Sequence, residues 1–129
     1  MYEKIIDSAI KAKKQSYSPF SKFKVGVALL TKDGNVYTGG NVESSSFSLT
    51  VCAEKAAAVK AINNKDMVFK AIAIATNSGD FEFPCGACRQ FLSEFSDNMD
   101  IILVKSKIEY RIFKLQNLLP HKFKLKKKG

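Results

Sequence analysis

Three cysteines and one glutamate constrain the fold of this chain more than any other feature. Cys52 and Glu54 stand at the start of an alanine-rich run that favours a helix, and Cys85 and Cys88 flank the start of another. Helix N-termini favour anions and lower thiol pKa values, so two helices that begin at one point would gather three thiolates there. The chain therefore has to start two helices, distant in sequence, side by side.

The cysteine count favours a metal site over disulfide bonds. Three thiols cannot all pair within one chain, and in a reducing compartment cysteines at this spacing bind metal or react. Sulfur ligands in a tetrahedral arrangement select zinc over magnesium or calcium. Structural zinc sites use four protein ligands and catalytic sites use three; the only histidine, His121, follows the last apolar segment and is a poor fourth ligand. The sequence predicts one catalytic Zn²⁺ per chain.

Glu54 supplies the proton carrier that a zinc ion lacks. It lies two residues after Cys52, in the first turn of the predicted helix, where its carboxylate can reach water on the same metal. A first-turn acid that only stabilises the helix dipole is the alternative. The combination with Cys52 and with a Pro-Cys-x-x-Cys sequence favours the catalytic interpretation.

Periodicity along the chain predicts the element order α-β-β-α-β-α-β-β-α. Amphipathic spacing favours a helix near the N-terminus, and β-branched runs favour strands, the first two joined by a Lys-Asp-Gly-Asn turn. Ser48 or Thr50 is the predicted N-cap of the second helix. A hairpin followed by alternating helices and strands indicates a mixed sheet in a layered α/β fold. The predicted elements span residues 3–15, 23–40 (the hairpin), 52–62, 70–76, 86–95, 100–105, 108–115 and 115–120.

The positive charge of the chain is concentrated at its C-terminus. The net charge is +9, but five lysines fall within residues 122–129, which leaves +4 for residues 1–121. We expect one domain over residues 1–121 and a solvated basic tail over 122–129, and the charge distribution disfavours a nucleic-acid partner. No apolar run approaches the length of about 20 residues that crosses a membrane, and no secretory signal is visible. A soluble cytoplasmic protein without a membrane partner is expected.

At these motifs the sequence resembles the cytidine deaminase family, in its small class with three cysteine ligands. The deaminase signature of a ligand two residues before a glutamate, followed by Pro-Cys-x-x-Cys, is present. The segments SPFSKFKVGVALLTKDG, GNVESSSF, CGACRQFLSEF and LLPHKF also resemble the family in the expected order. The resemblance implies a three-layer α/β/α fold with a mixed five-stranded sheet flanked by helices. It also implies zinc-dependent deamination of cytidine and deoxycytidine in pyrimidine salvage, by a homotetramer.

The resemblance assigns roles to individual residues around the metal and the base. Glu54 would carry protons between water, ring N3 and the departing amine, and the backbone N–H of Ala53 would hold the base carbonyl. Phe23 matches the aromatic residue that packs on the pyrimidine; by its sequence alone it is an ordinary strand residue. Phe123 matches a residue that reaches a neighbouring subunit's site, although periodicity shows only an apolar residue before a basic tail.

The segment Gly-Asn-Val-Glu is expected to bind the ribose. Asn41, Val42 and Glu43 match the family's substrate-binding positions, and an amide beside a carboxylate can bracket a ribose hydroxyl. A polar turn after a strand is the alternative. Ser44 and Ser45 replace the common asparagine and alanine, which leaves the preference between cytidine and deoxycytidine open.

Lys55 departs from the family pattern, in which arginine usually follows the catalytic glutamate. Three thiolates around Zn²⁺ leave a net charge of −1, and a nearby cation would draw electron density from the sulfurs. We expect Lys55, with help from Arg89, to compensate the thiolate charge, although a single ammonium cannot fork to two sulfurs as a guanidinium does. A solvated helix lysine is the alternative.

Two other classes of function compete with the deamination of a nucleoside: deamination of another cytosine-containing compound, and nonenzymatic binding of nucleic acid. Blasticidin S deaminase is similar in the zinc motifs but lacks the ribose-binding glutamate, so Glu43 favours a nucleoside substrate. Deoxycytidylate and polynucleotide deaminases mostly use histidine as the first ligand, where this chain has Cys52. A nonenzymatic zinc-stabilised module that binds nucleic acid would need a fourth protein ligand and no proton carrier.

Overall fold

The computed structural model describes residues 1–128 and arranges four α-helices around five strands. The element order agrees with the predicted order, and two short 3₁₀ turns, Lys13–Gln15 and Phe47–Leu49, are added. No helix in the described part of the chain is long and apolar enough to cross a membrane. The elements are α1 (Glu3–Ala12), β1 (Val25–Thr31), β2 (Val36–Gly40), α2 (Ala53–Asn63), β3 (Phe69–Thr76), α3 (Gly86–Ser93), β4 (Asp100–Val104), β5 (Tyr110–Lys114) and α4 (Leu115–Leu118).

The five strands form one mixed sheet in the order β2-β1-β3-β4-β5. β1 runs antiparallel to both β2 and β3, β3 is parallel to β4, and β5 is antiparallel to β4. The parallel pair needs a crossover, which α3 supplies. The crossover places α3 and the two cysteines at its start beside the carboxyl end of β3. The mixed five-stranded sheet confirms the predicted fold class.

The two faces of the sheet pack against different helices. Along β3, Ile72 and Ile74 belong to a core with α2, α3 and α4, while Ala71, Ala73 and Ala75 belong to a second core with α1. Successive strand side chains point to opposite faces, so one strand contributes to both cores. Helices on both faces confirm the three-layer α/β/α architecture.

Gly39 in β2 allows α2 to lie directly against the sheet. A Cβ at this position would lie 2.7 Å from the Ala53 carbonyl oxygen and 2.8 Å from the Ala57 backbone nitrogen. Real Cβ atoms do not approach backbone this closely, so any larger residue would push the helix away. The absence of a side chain at Gly39 thus sets the position of the first turn of α2, which carries Glu54.

The cysteines themselves occupy the N-cap positions of the two helices. Cys52 precedes α2 with extended backbone angles, φ −68° and ψ 148°, and Cys85 precedes α3 in the same way. The prediction of Ser48 or Thr50 as the cap of α2 is therefore wrong. The Thr50 hydroxyl oxygen instead accepts a hydrogen bond from the Ser44 backbone N–H at 3.2 Å, which holds the preceding loop.

Candidate active site

The three cysteine sulfurs converge where α2 and α3 begin. The Sγ atoms of Cys52, Cys85 and Cys88 all lie within 4.8 Å of one another. A tetrahedral zinc ion with bonds of about 2.3 Å to sulfur needs sulfurs about 3.8 Å apart. A small inward movement of the side chains meets that requirement, so the residues fit three corners of a tetrahedral zinc site. The expectation that two helices start at one point is confirmed.

The donor set contains three protein ligands. Among residues 1–128, no other histidine, cysteine, aspartate or glutamate joins the cysteine group. His121 lies instead in a separate surface cavity with Pro120 and Asp97. Three ligands are the number used by catalytic zinc sites, whereas structural sites use four. The chemistry of the donor set therefore matches zinc in a catalytic arrangement.

The thiols of Cys52 and Cys88 differ in how easily they ionise. The pKa of Cys52 is lowered to about 6, mainly by the interaction with the Cys88 thiol and also by Cys85 and the positive charge of Lys55, which together outweigh the opposing effect of burial. The same interaction with Cys52, together with burial, raises the pKa of Cys88. Cys52 thus becomes a thiolate, the form that binds metal, more easily than Cys88.

Glu54 is buried beside the sulfurs. Its side chain is only 6% exposed, and burial raises its pKa to about 7, with the negative charge of Cys52 as a further cause. A first-turn acid that only stabilised the helix dipole would be more stable in solvent, because burying an ionised carboxylate costs desolvation free energy. A carboxyl group with a pKa near neutrality can both accept and donate a proton at pH 7. The environment of Glu54 therefore suits proton transfer.

A cavity of about 410 Å³ extends from the sulfurs towards the loops before β1 and after β2. Its volume lies within the range of sites for small molecules. Seven of the residues singled out in the sequence line it: Phe23, Asn41, Glu43, Cys52, Ala53, Glu54 and Cys85.

Asn41 supports the wall of this cavity through its side chain. Its Oδ1 accepts hydrogen bonds from the Ser16 hydroxyl and from the Val25 backbone N–H at 3.0 Å. Its Nδ2 donates to the Phe23 carbonyl oxygen at 2.9 Å. Only one amide hydrogen is left for another acceptor. Asn41 thus fixes the segment that carries Phe23.

Glu43 is held as a charged acceptor. Its Oε1 accepts hydrogen bonds from the backbone N–H groups of Phe20, at 3.0 Å, and Ser21, at 3.2 Å. Its Oε2 accepts from the Ser21 hydroxyl, and this bond is the main cause that keeps the pKa of Glu43 below its usual value. The carboxylate is therefore ionised at neutral pH and has a fixed orientation.

Val42, between these two residues, does not line the cavity. Its side chain is 44% exposed, and its backbone N–H donates to the Val51 carbonyl oxygen at 2.9 Å while Val51 N–H donates back at 2.8 Å. This short bridge joins the strand end at Asn41 to the start of α2. The contribution of Val42 to the site is made through its backbone.

Arg89 makes contacts with backbone carbonyls next to the metal site. Its Nε donates to the Pro84 carbonyl oxygen at 2.8 Å, and a terminal nitrogen donates to the Leu118 carbonyl oxygen at 2.9 Å. These bonds tie the segment before Cys85 to α4. Arg89 therefore holds the cysteine loop in place from behind.

Lys55 and Phe123 lie outside the main cavity and border a separate groove along α3. Gln90 in α3 donates its side-chain N–H to the Phe123 carbonyl oxygen at 2.8 Å. Phe123 itself is 66% exposed. The groove brings the start of the basic tail close to the first turn of α2, which carries Lys55 and Glu54.

Sequence reasoning did not assign the other seven lining residues to the site: Ser21, Val25, Thr50, Ile74, Thr76, Glu82 and Phe83. The segment before Cys85 lies outside every helix and strand that the sequence predicts. Its alternation of aromatic and acidic residues, Phe-Glu-Phe, was the available signal, because alternation predicts an extended segment with two different faces. Phe83 lies against Phe113 of β5 with ring centroids 5.1 Å apart.

Comparisons with known proteins agree with this geometry. Residues 1–104 match the family model described as the cytidine and deoxycytidylate deaminase zinc-binding region. A cytidine deaminase of Sporosarcina psychrophila is 42% identical over 122 residues, which cover 94% of this chain and 90% of the relative. A probable cytidine deaminase of Dictyostelium discoideum is 46% identical over 104 residues, covering 80% of this chain and 70% of the relative.

Solved structures show the same fold. The crystal structure of cytidine deaminase from Burkholderia pseudomallei superposes with a TM-score of 0.89 at 36% identity, over 95% of this chain and 99% of that one. The cytidine deaminase structure from Mycobacterium tuberculosis gives 0.82 at 35% identity, over 96% and 98% of the two chains.

Proposed function

The chain belongs to the cytidine and deoxycytidylate deaminase family and is a zinc-dependent enzyme that deaminates cytidine by hydrolysis; we propose that deoxycytidine is a second substrate. The products are uridine or deoxyuridine and ammonia. The observation that carries the function is the convergence of three sulfurs within 4.8 Å beside a buried glutamate in one cavity. Nothing else in the described residues combines a soft metal site with a proton carrier.

Cys52, Cys85 and Cys88 are the residues that would hold the zinc ion. Zinc, when bound, supplies a Lewis acid that makes water a competent nucleophile at neutral pH. The cysteines provide negative ligands, and the N-termini of α2 and α3 stabilise that negative charge. Cys52, whose pKa is lowered to about 6, gives the site a ready thiolate.

Glu54 is the catalytic acid and base. Its carboxylate accepts a proton from water, which adds to C4 of the cytosine ring, and the proton passes to ring N3. The carboxylate then takes the proton of the new C4 hydroxyl group and passes it to the exocyclic nitrogen; the C4–N4 bond breaks, the C4 carbonyl forms, and ammonia leaves. A pKa raised to about 7 suits a group that must both take and return a proton within one turnover.

Four residues orient the nucleoside. The backbone N–H of Ala53, in the first turn of α2, has no acceptor within the helix and is suited to the base carbonyl. Phe23 packs against the pyrimidine. Glu43 accepts a hydrogen bond from a ribose hydroxyl, and the remaining amide hydrogen of Asn41 donates to the same region.

Two cations act on the thiolates in different ways. Lys55 acts by its charge, since it already lowers the pKa of Cys52. Arg89 acts by position, since its hydrogen bonds to the Pro84 and Leu118 carbonyl oxygens hold the loop that carries Cys85. Lys55 thus performs part of the role that the family usually gives to arginine.

The assembly is a homotetramer in the cytoplasm that serves pyrimidine salvage. Exposed apolar side chains support this proposal: the rings of Phe20 and Phe47 meet edge to face at 6.3 Å, and Phe47 and Leu49 are 72% and 68% exposed. Phe123 would reach a neighbouring subunit's site. Light scattering on the purified protein tests the assembly: the proposal predicts four times the 14.3 kDa chain mass, and a monomer would contradict it.

Residues 1–121 make up the catalytic domain, and residues 122–129 are a basic appendage. Lys122 donates a hydrogen bond to the Ser93 carbonyl oxygen at 3.0 Å, so the tail begins against α3. The last residue of this tail, Gly129, lies outside the described residues. Four of the five tail lysines lie beyond Phe123, away from the cavity-lining residues.

The test of this function uses one preparation and two measurements. Purified protein is incubated with cytidine, deoxycytidine or blasticidin S while the loss of cytosine absorbance is followed, and its metal content is determined in parallel. We expect turnover of both nucleosides with about one zinc per chain. Turnover of blasticidin S alone would show that the substrate is another cytosine-containing compound and not a nucleoside. Bound zinc without any turnover would indicate a nonenzymatic binding module.

A further inference from the structure

The charge of the cavity is opposite in sign to the charge of the chain. The protein carries +9 overall, yet the cavity is lined by Glu43, Glu54 and Glu82. No lysine, arginine or histidine of residues 1–128 is among its lining residues. A cleft lined by one sign of charge focuses its potential on the ligand inside it.

The three carboxyl groups of the cavity differ in what they contact. Glu43 accepts three hydrogen bonds from Phe20 and Ser21, and Glu54 is buried with a raised pKa. Glu82 is partly buried, and within residues 1–128 its carboxylate has neither an ion pair nor a hydrogen bond. The binding and catalytic roles already described leave Glu82 without a function.

The residues on either side of Glu82 hold it at the cavity. Phe81 lies under the Arg111 guanidinium, which is 4.3 Å from its ring centroid, and Lys105 Nζ lies 5.8 Å from the same ring. Phe83 lies against Phe113 of β5. The nearby cations thus face the Phe81 ring, and neither comes within ion-pair distance of Glu82. Anchoring on both sides keeps the carboxylate at the cavity wall.

Building on the proposed function, we propose that Glu82 is a specificity-determining residue that disfavours ligands with a 5′-phosphate relative to neutral nucleosides. A cavity of about 410 Å³ is about 9 Å across if it is spherical, so the 5′ carbon of a nucleoside bound inside it, which would carry the phosphate, lies within about one Debye length of the lining residue Glu82 at physiological salt. The repulsion acts on a dianion and is nearly absent for a neutral ribose. Glu82 therefore sets a ratio of affinities rather than the rate of the chemical step.

The size of the effect follows from Coulomb's law. At a separation of about 9 Å in a partly hydrated cavity, removal of the Glu82 charge should raise the affinity for a dianion by a factor on the order of five. The Glu82→Gln variant keeps the shape of the side chain and removes its charge. The Glu82→Lys variant reverses the charge, which doubles the change in interaction energy and therefore roughly squares the factor by which the affinity rises. Salt of about 0.5 M should reduce both changes because the charges are then screened.

The test measures binding of the products by calorimetry, with turnover of the substrates as a second readout. Zinc-loaded wild type, Glu82→Gln and Glu82→Lys are titrated with uridine and with uridine 5′-monophosphate, and kcat/KM is measured for cytidine and cytidine 5′-monophosphate. The matched control is Glu94→Gln, which removes the same charge from the exposed end of α3. Circular dichroism checks that each variant is folded.

The expected result is a rise of about fivefold in relative affinity for the monophosphate in Glu82→Gln, a larger rise in Glu82→Lys, and no change in Glu94→Gln. An unchanged ratio in both Glu82 variants, or an equal change in the control, overturns the role of Glu82 while cytidine turnover stands. A wild-type protein that neither binds uridine nor converts cytidine overturns the proposed function itself, and this inference with it.

Discussion

The two ends of the cavity are built in different ways. At the reacting end, Cys52, Cys85 and Glu54 are placed by the first turns of two helices that begin side by side. At the other end, where we propose that the ribose binds (the ribose end), Asn41 and Glu43 lie in irregular segments and make most of their hydrogen bonds within the protein. Packed helices define the reacting end, whereas the ribose end is held together by hydrogen bonds of the same side chains that line it.

This difference separates the expected effects of substitutions. A change at the reacting end removes a reactive group while the surrounding helices remain, so kcat should fall. A change at the ribose end removes a structural hydrogen bond and a ligand contact together, so KM and stability should change together. The predictions below test whether the two ends can be separated in this way.

The largest effect is expected from Cys88→Ser at the reacting end. Cys88 is fully buried, and a serine hydroxyl is a poor replacement for a thiolate ligand. Zinc content should fall well below one per chain and kcat by about a thousandfold or more. Metal analysis and a cytidine assay measure both. Ser93→Ala, at a buried position of the same helix, is the control and should retain zinc; full zinc occupancy in Cys88→Ser would exclude this cysteine as a ligand.

Glu43→Gln at the ribose end should raise KM for cytidine by about tenfold with kcat changed far less, because a hydrogen bond to a charged group contributes about 1.5–3 kcal/mol. Ser21→Ala is the graded control, since it removes one donor to Glu43 and keeps the carboxylate. Steady-state kinetics measure both variants. A fall in kcat with an unchanged KM in Glu43→Gln would show that the two ends of the cavity do not differ in this way.

Lys55→Gln tests the electrostatic support of the reacting end. We expect kcat/KM to fall about threefold to tenfold, because the charge that favours the Cys52 thiolate is removed. Lys55→Arg should keep or raise activity. Lys60→Gln changes an exposed lysine of the same helix, which donates to the Thr38 carbonyl oxygen, and should leave the kinetics unchanged. Equal kinetics for Lys55→Gln and the wild type would show that Lys55 is only a surface residue.

The smallest effect is expected at the tail, outside both ends of the cavity. A chain truncated after Phe123 loses four lysines and should keep kcat/KM within about twofold, since exposed termini contribute little to folded contacts. Truncation after His121 is the comparison, because it also removes Lys122 and Phe123, which contact α3. A large rise in KM for the shorter deletion would give the lysines a role in binding.

The sequence was sufficient to predict the sheet, the helix order and the reacting end, but only part of the ribose end. Regular periodicity and thiol chemistry are local properties, so Cys52, Glu54 and the element order could be predicted from residue types. Glu82 and Thr50 could not, because they reach the cavity through irregular backbone whose path depends on distant contacts. The contact of Phe81 with Arg111, for example, joins residues far apart in the chain.

The cap of α2 shows the same limit at a single residue. Serine and threonine are common N-caps, and local preference favours Ser48 or Thr50 over a cysteine. The Thr50 hydroxyl instead accepts a hydrogen bond from Ser44, and Cys52 occupies the cap. The tertiary requirement to place a sulfur at the helix start overrides the local preference.

The most direct test compares wild type and Glu54→Gln at neutral pH, with zinc content and cytidine turnover measured on the same samples. Because burial already favours the neutral form of Glu54, the neutral glutamine should fold normally and retain about one zinc per chain. We predict a fall in kcat of about a hundredfold to ten-thousandfold, the contribution of a positioned acid and base. A zinc-loaded Glu54→Gln protein that deaminates cytidine at the wild-type rate would contradict the account.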